Sequence, residues 1–132
     1  MSSNLHKLFK MDSSLEQDGV WFEVTDTTKF KIRRFGGSNT KLSAAYAKHY
    51  KTKARLIESG QLPENESRRI FTSIFVESCL VGWEGVTDED GNEIPFTVEN
   101  AMNLLSDLPE LFDTLWGEAK NQNNYREDLG NS

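Results

Sequence analysis

The stretch CLVGWEGVTDEDGNEIPFTVENAMNLLSDLPELFDTLW, residues 79–116, constrains the fold more than any other part of the chain. Asp90-Gly91 is a strong reversal signal, because glycine takes the positive φ that tight turns demand. Trp83 and Val86 stand before it and Ile94, Pro95 and Phe96 after it, so the turn brings two apolar arms together. Thr97 reads as an N-cap, its hydroxyl able to accept from the first unpaired helical N–H groups. A second helix start follows at Pro109, a residue suited to the first helical position. These are packing signals, and they point to an interaction domain rather than an enzyme.

Upstream of this stretch, residues 64–81 predict a helix that begins with Glu64 and Glu66, which complement the helix dipole. Ile70, Ile74 and Val81 form one edge, with Phe71, Phe75 and Cys79 beside them and Val76 and Leu80 apolar as well. A helix apolar most of the way round is central in a core or covered by another chain. Glu77 is expected on a polar edge, since a lone buried carboxylate needs a partner.

The N-terminal half carries the strand signals. Residues 20–24 and 30–35 predict a β-hairpin around the turn Thr25-Asp26-Thr27-Thr28. Phe30 and Ile32 alternate with Lys31 and Arg33, which predicts one buried and one solvated face. Gly36-Gly37 ends the hairpin; it is no phosphate loop, because no lysine with serine or threonine follows at the required offset. Ser38 or Asn39 then caps a helix predicted over residues 40–59, with Leu42, Tyr46, Tyr50 and Ile57 on one side and Gly60 as its stop. Leu5, Leu8, Phe9 and Met11 make a short apolar cluster in an N-terminal arm, residues 1–19, that is either frayed or docked on a neighbour. Residues 20–119 are expected to be the single domain, and residues 120–132 a polar, disordered C-terminal tail. The fold class expected is α+β, mainly helical, with an N-terminal β-hairpin followed by about four helices.

Several chemistries find no support in the residues. The acidic turn at 88–93 has its glycine two positions too early for a calcium loop that starts at Asp88. Neither His6 nor His49 has a metal-ligating neighbour one helical turn away. No nucleophile–base pair can be named at useful spacing, so no catalytic residue, metal or cofactor is expected. The lone cysteine, Cys79, excludes an internal disulfide and fits a reducing compartment. No apolar run approaches the roughly 18 residues of a membrane span and no signal pattern opens the sequence, so the expected location is the cytosol, without a membrane.

Charge is distributed unevenly. Residues 1–60 hold 11 Lys and Arg against 6 Asp and Glu, whereas residues 61–132 hold 4 against 15. The balances of +5 and −11 sum to the net −6 of the chain. Such a split suits nucleic-acid contact by the basic half or mimicry of DNA by the acidic half. It equally suits two halves that face each other within one fold or between copies.

The run GWEGVTDEDGNEIPFTVENAMNLLSDLPELF resembles the most recognisable block of the tail assembly chaperones of long-tailed, siphophage-type bacteriophages. The earlier FKIRRFGGSNTKL is similar to that family's N-terminal strand-then-glycine block. The resemblance implies a non-enzymatic protein that binds the tape measure protein, keeps it soluble, helps recruit the major tail protein and is absent from the finished tail. It also implies a longer frameshift product, with the polar C-terminal segment as the junction, and homo-oligomers are compatible with it. The candidate partner-binding residues are Trp83, Phe96, Leu108, Leu111, Phe112, Leu115 and Trp116, read as a groove or ridge for a partner helix. The plainer reading is that these side chains pack inward. Replacing Phe112 and Trp116 by alanine separates the two readings, since a free surface would leave the fold intact. The other functional classes are a small nucleic-acid-binding or DNA-mimic regulator and a structural virion component; nucleic acid is the less favoured partner.

Overall fold

The computed structural model describes residues 5–127. Helices α1 (Leu5–Phe9) and α2 (Ser13–Asp18) lead into strands β1 (Val20–Glu23) and β2 (Lys29–Ile32). Helices α3 (Lys41–His49), α4 (Ala54–Glu58) and α5 (Glu64–Ser78) follow, then strand β3 (Leu80–Glu84). Helices α6 (Val98–Asp107) and α7 (Pro109–Lys120) and a 3-10 turn at Gln122–Tyr125 complete it. The architecture is α+β and mainly helical, with the hairpin on the N-terminal side.

The hairpin forms where its alternation places it, with Phe30 and Ile32 buried and Lys29 and Lys31 on the other face. Its partner on the far side differs from expectation. The helix predicted over residues 64–81 stops at Ser78, and after Cys79 the chain becomes β3, antiparallel to β2 in a three-stranded sheet ordered β1-β2-β3. The register jumps within this pair: Lys31 lies opposite Gly82, but Ile32 opposite Leu80. Val81 is the extra residue of a bulge, and the bulge turns both Leu80 and Trp83 inward although they are three residues apart. The bulge cancels the period-2 signal, so the apolar run reads as a continuing helix.

A buried asparagine makes that abrupt change from helix to strand possible. The last carbonyls of a helix lack intrahelical donors and are costly to bury unpaired. The Asn39 amide donates to the Ser78 carbonyl at 2.8 Å and to the Arg34 carbonyl at 2.9 Å. Its own oxygen accepts from Lys41 N–H at 3.1 Å, at the start of α3. Arg33 N–H meets the Cys79 carbonyl at 2.7 Å, completing the junction.

The helix predicted over residues 40–59 is divided. α3 ends at His49, and residues 51–53 form an exposed turn before α4. Lys51, Thr52 and Lys53 bring no apolar side chain to the stripe that packs α3 on α5, so nothing offsets the cost of ordering them as helix. The starts at Thr97 and Pro109 stand as read: Thr97 Oγ1 accepts from Asn100 N–H at 3.0 Å, and Pro109 opens α7. α5, α6 and α7 bury Phe75, Val76, Ala101, Leu105, Phe112 and Leu115 against Phe30 and Ile32 of the sheet.

The segment after Lys120, expected as a disordered tail, is folded through residue 127. Tyr125 is fully buried and its hydroxyl donates to the Ile32 carbonyl at 3.1 Å. Asp12 N–H binds the Tyr125 carbonyl and Glu127 N–H the Lys10 carbonyl, at 2.8 and 3.0 Å, so the two ends of the described chain clasp each other. One tyrosine supplies the burial that the polar composition conceals. Residues 128–132 and the first four residues of the N-terminal arm lie outside the described part.

α2 is locked down by a buried carboxylate. Glu16 pairs with Arg34 and accepts from Ser38 Oγ at 2.8 Å and Ser38 N–H at 3.2 Å. Gly37, with φ +56°, closes this site; a Cβ there would lie 2.1 Å from a Glu16 carboxylate oxygen. Burial raises the Glu16 pKa, but the hydrogen bonds from Arg34 and Ser38 outweigh it and hold the group below its ordinary 4.5. A depressed carboxylate pKa contributes stability that is present above the unfolded value and lost as pH falls through the folded one. The thermal midpoint should therefore drop as pH falls from about 6 to about 3. Glu16→Gln should start lower at neutral pH and fall less steeply, measured by circular dichroism melts across that range.

Candidate partner-binding surface

Of the seven candidate residues, the fold brings Trp83 and Phe96 together. Trp83 stands near the end of β3 with its indole edge-on to Phe30 and to Phe96, ring centroids 5.9 and 5.0 Å away. Its Nε1–H donates to the Ile94 carbonyl at 2.8 Å, which satisfies the one polar atom of a buried ring. Trp83 and Phe96 belong to an open groove of about 570 Å³, whose walls include Glu84, Val86, Glu93 and Ile94.

The loop that makes the second wall is rigidly defined. Asp88 Oδ1 accepts from Asp90 N–H and Asn92 N–H, both at 2.9 Å, and Ile94 N–H pairs with the Val86 carbonyl at 2.9 Å. Asp88 thus serves its own turn, and among the described residues no cluster of His, Cys, Asp and Glu could hold a metal ion. Gly85 fixes the exit from β3. Its φ is +74°, a Cβ would lie 1.7 Å from the Thr27 carbonyl oxygen, and its carbonyl accepts from Thr28 Oγ1 at 2.9 Å.

The α7 candidates are placed differently. Phe112 is 5% exposed and Leu115 is fully buried, both within the core. Trp116 is half-buried, packed against Phe35, Phe71, Phe75 and Phe112 with centroids 4.5 to 6.2 Å away, and Lys120 covers its ring. Leu111 is half-buried, whereas Leu108, at the bend between α6 and α7, is 48% exposed. Arg68 pins this edge: it lies over the Phe112 ring and donates to the Pro109 carbonyl at 3.0 Å and to Asp113 at 2.7 Å. The inward-packing reading describes Phe112 and Leu115; Leu108 is the α7-side candidate most open to a partner.

Two further surfaces lie outside residues 79–116, the first of them the apolar N-terminal cluster expected to be frayed or docked on a neighbour. α1 buries none of its side chains, leaving Leu5, Leu8 and Phe9 at 62%, 46% and 60% exposure. On the outer face of the sheet Trp21 is exposed, with Lys29 Nζ 4.6 Å from its ring centroid. Another pairing was invisible because it joins two helices: His49 Nε2 lies 2.9 Å from Glu77, which also meets Lys48 at 3.2 Å. Burial raises the Glu77 pKa, but the neighbouring His49 imidazole and the hydrogen bond from Lys48 outweigh it and hold the carboxyl below its ordinary value.

Phe112→Ala should cost about 3–5 kcal/mol, because it empties a packed aromatic site. Leu108→Ala should stay within about 0.5 kcal/mol. Urea unfolding of the two variants, compared with the parent, distinguishes core from surface on the same helix edge.

No curated protein and no solved structure matches this chain. The model of a family described as YdaY prophage protein matches residues 37–130, from the glycine turn before α3 to beyond the 3-10 turn. That span is well over half of the sequence, and the chain belongs to the YdaY prophage protein family.

Proposed function

We propose that this prophage-family protein is a tail assembly chaperone that binds the tape measure protein in the host cytoplasm, keeps it soluble and helps recruit the major tail protein. The observation that carries the reading is the pairing of a well-packed core with apolar groups left in water. Leu5, Leu8 and Phe9 on α1 and Leu108 beside α7 are exposed, and Trp83 and Phe96 border an open groove. Exposed apolar groups of this kind mark contact sites for apolar partners. The two sequence blocks similar to tail assembly chaperones and the phage origin of the family support the same reading.

The mechanism follows from modest apolar area per copy. Each contact is weak and readily exchanged, so many copies would shield the helices of a long partner until tail subunits displace them. A non-enzymatic role accords with the chemistry of the one thiol. Cys79 is fully buried, and burial pushes its pKa up to about 11 although the Ser78 hydroxyl partly opposes this, so it is a poor nucleophile. The basic strand favours nucleic acid little, since Lys29 pairs with Glu84 at 3.1 Å and Arg33 donates to the Gln17 carbonyl at 2.6 Å.

Co-expression with the tape measure protein of the same prophage tests the proposal. The soluble fraction of tape measure protein should rise and the two should co-purify. Tape measure protein that precipitates as much with this chain as without it, while this chain elutes alone, would contradict the proposal.

A further inference from the structure

We infer that α1 of one copy docks into the Trp83–Phe96 groove of a second copy, linking copies head to tail. α1 presents Leu5 and Phe9 one helical turn apart, with Leu8 beside them, and packs substantially on no other described element. The arm is rooted where Met11 pairs with Arg126, next to Tyr125 and its bond to Ile32. That is the Ile32–Leu80 end of the sheet, whereas the groove opens at the other end, where Trp83 and Glu84 face Phe30 and Lys29.

Charge selects the occupant. Residues 5–10, LHKLFK, carry Lys7 and Lys10 and no acid. Residues 84–93 carry Glu84, Asp88, Glu89, Asp90 and Glu93 and no Lys or Arg. Glu84 and Glu93 stand on the groove walls, flanking the apolar floor of Trp83 and Phe96; Glu84 also meets Lys29 at 3.1 Å, an exposed and therefore weak pair that leaves the loop 84–93 strongly acidic. A basic helix with an apolar face therefore meets an acidic groove with an apolar floor, and each copy carries both. Lys10 is paired with Glu127 at 3.3 Å, but both side chains are largely exposed and such pairs contribute little. Arm and groove are different surfaces, so the contact is heterologous and generates rings or open chains rather than a closed twofold dimer. Arm and groove are among the exposed groups the proposed client contact would use, so copies and client compete for them; the inference itself stands whether or not that client is the tape measure protein.

Sedimentation velocity on the full chain tests it with two variants. Leu5→Asp with Phe9→Asp disables the arm and leaves the groove. Glu84→Lys with Glu93→Lys disables the groove and leaves the arm, with circular dichroism confirming the fold. The parent should gain mass with concentration and lose that gain in high salt. Each variant alone should sediment as a monomer. Mixed, they should form a species of two chains and no larger, because only one functional junction remains. A parent that stays monomeric at every concentration overturns the inference and leaves the arm to a partner of another kind. Variants that assemble on their own, or a mixture that stays monomeric, also overturn it.

Discussion

The Asn39 amide at the buried end of α5 is the interaction on which the rest of the architecture depends. The C-terminal half of α5 buries Thr72, Ile74, Phe75, Val76 and Ser78, so this end of the helix lies in the middle of the protein. A helix so placed ends in the interior, where its last carbonyls have no water to turn to. Asn39 answers the Ser78 carbonyl from the β2–α3 connection, and Arg33 answers Cys79 from the end of β2. The chain is thereby free to leave the helix and return at once as β3 against β2. Everything bordering the groove, from Trp83 to Phe96, follows from where β3 begins.

Legibility in the sequence tracked the range of the forces involved. The hairpin, the Thr97 cap, the Pro109 start and the Asp90-Gly91 turn are each set by side chains within a few residues, and each was readable. The boundary between α5 and β3 was not, because Val76, Cys79, Leu80 and Val81 suit a buried helix as well as a buried strand. The bulge at Val81 removed the alternation that would have distinguished them. Tyr125 was hidden for the converse reason: a single aromatic in a polar run anchors the C-terminal clasp through a bond to Ile32, 93 positions away. At the candidate surface, the helix pattern of α7 identified its apolar residues but not which part of that broad face the core would use. Phe112 and Leu115 went inward and Leu108 did not.

The charge asymmetry is partly resolved within the chain. Lys48 and His49 meet Glu77, Lys29 meets Glu84 and Lys10 meets Glu127, each joining the basic half to the acidic half. These pairs are partly exposed and individually weak, so they orient the halves more than they stabilise them. A strongly acidic loop remains beside the groove. The reversible contact proposed for this domain would draw on both features, with charge steering the encounter and apolar burial holding it.

The most direct measurement is amide hydrogen exchange on Asn39→Ala beside the parent chain. If the Asn39 junction positions β3, the substitution should cost about 1–3 kcal/mol, the penalty of buried carbonyls left without donors. Protection should fall across Leu80–Glu84 and at Arg33 before it falls in α6 and α7. Unchanged protection in β3 with a uniform, small loss elsewhere would contradict the account and leave the strand held by its apolar contacts alone.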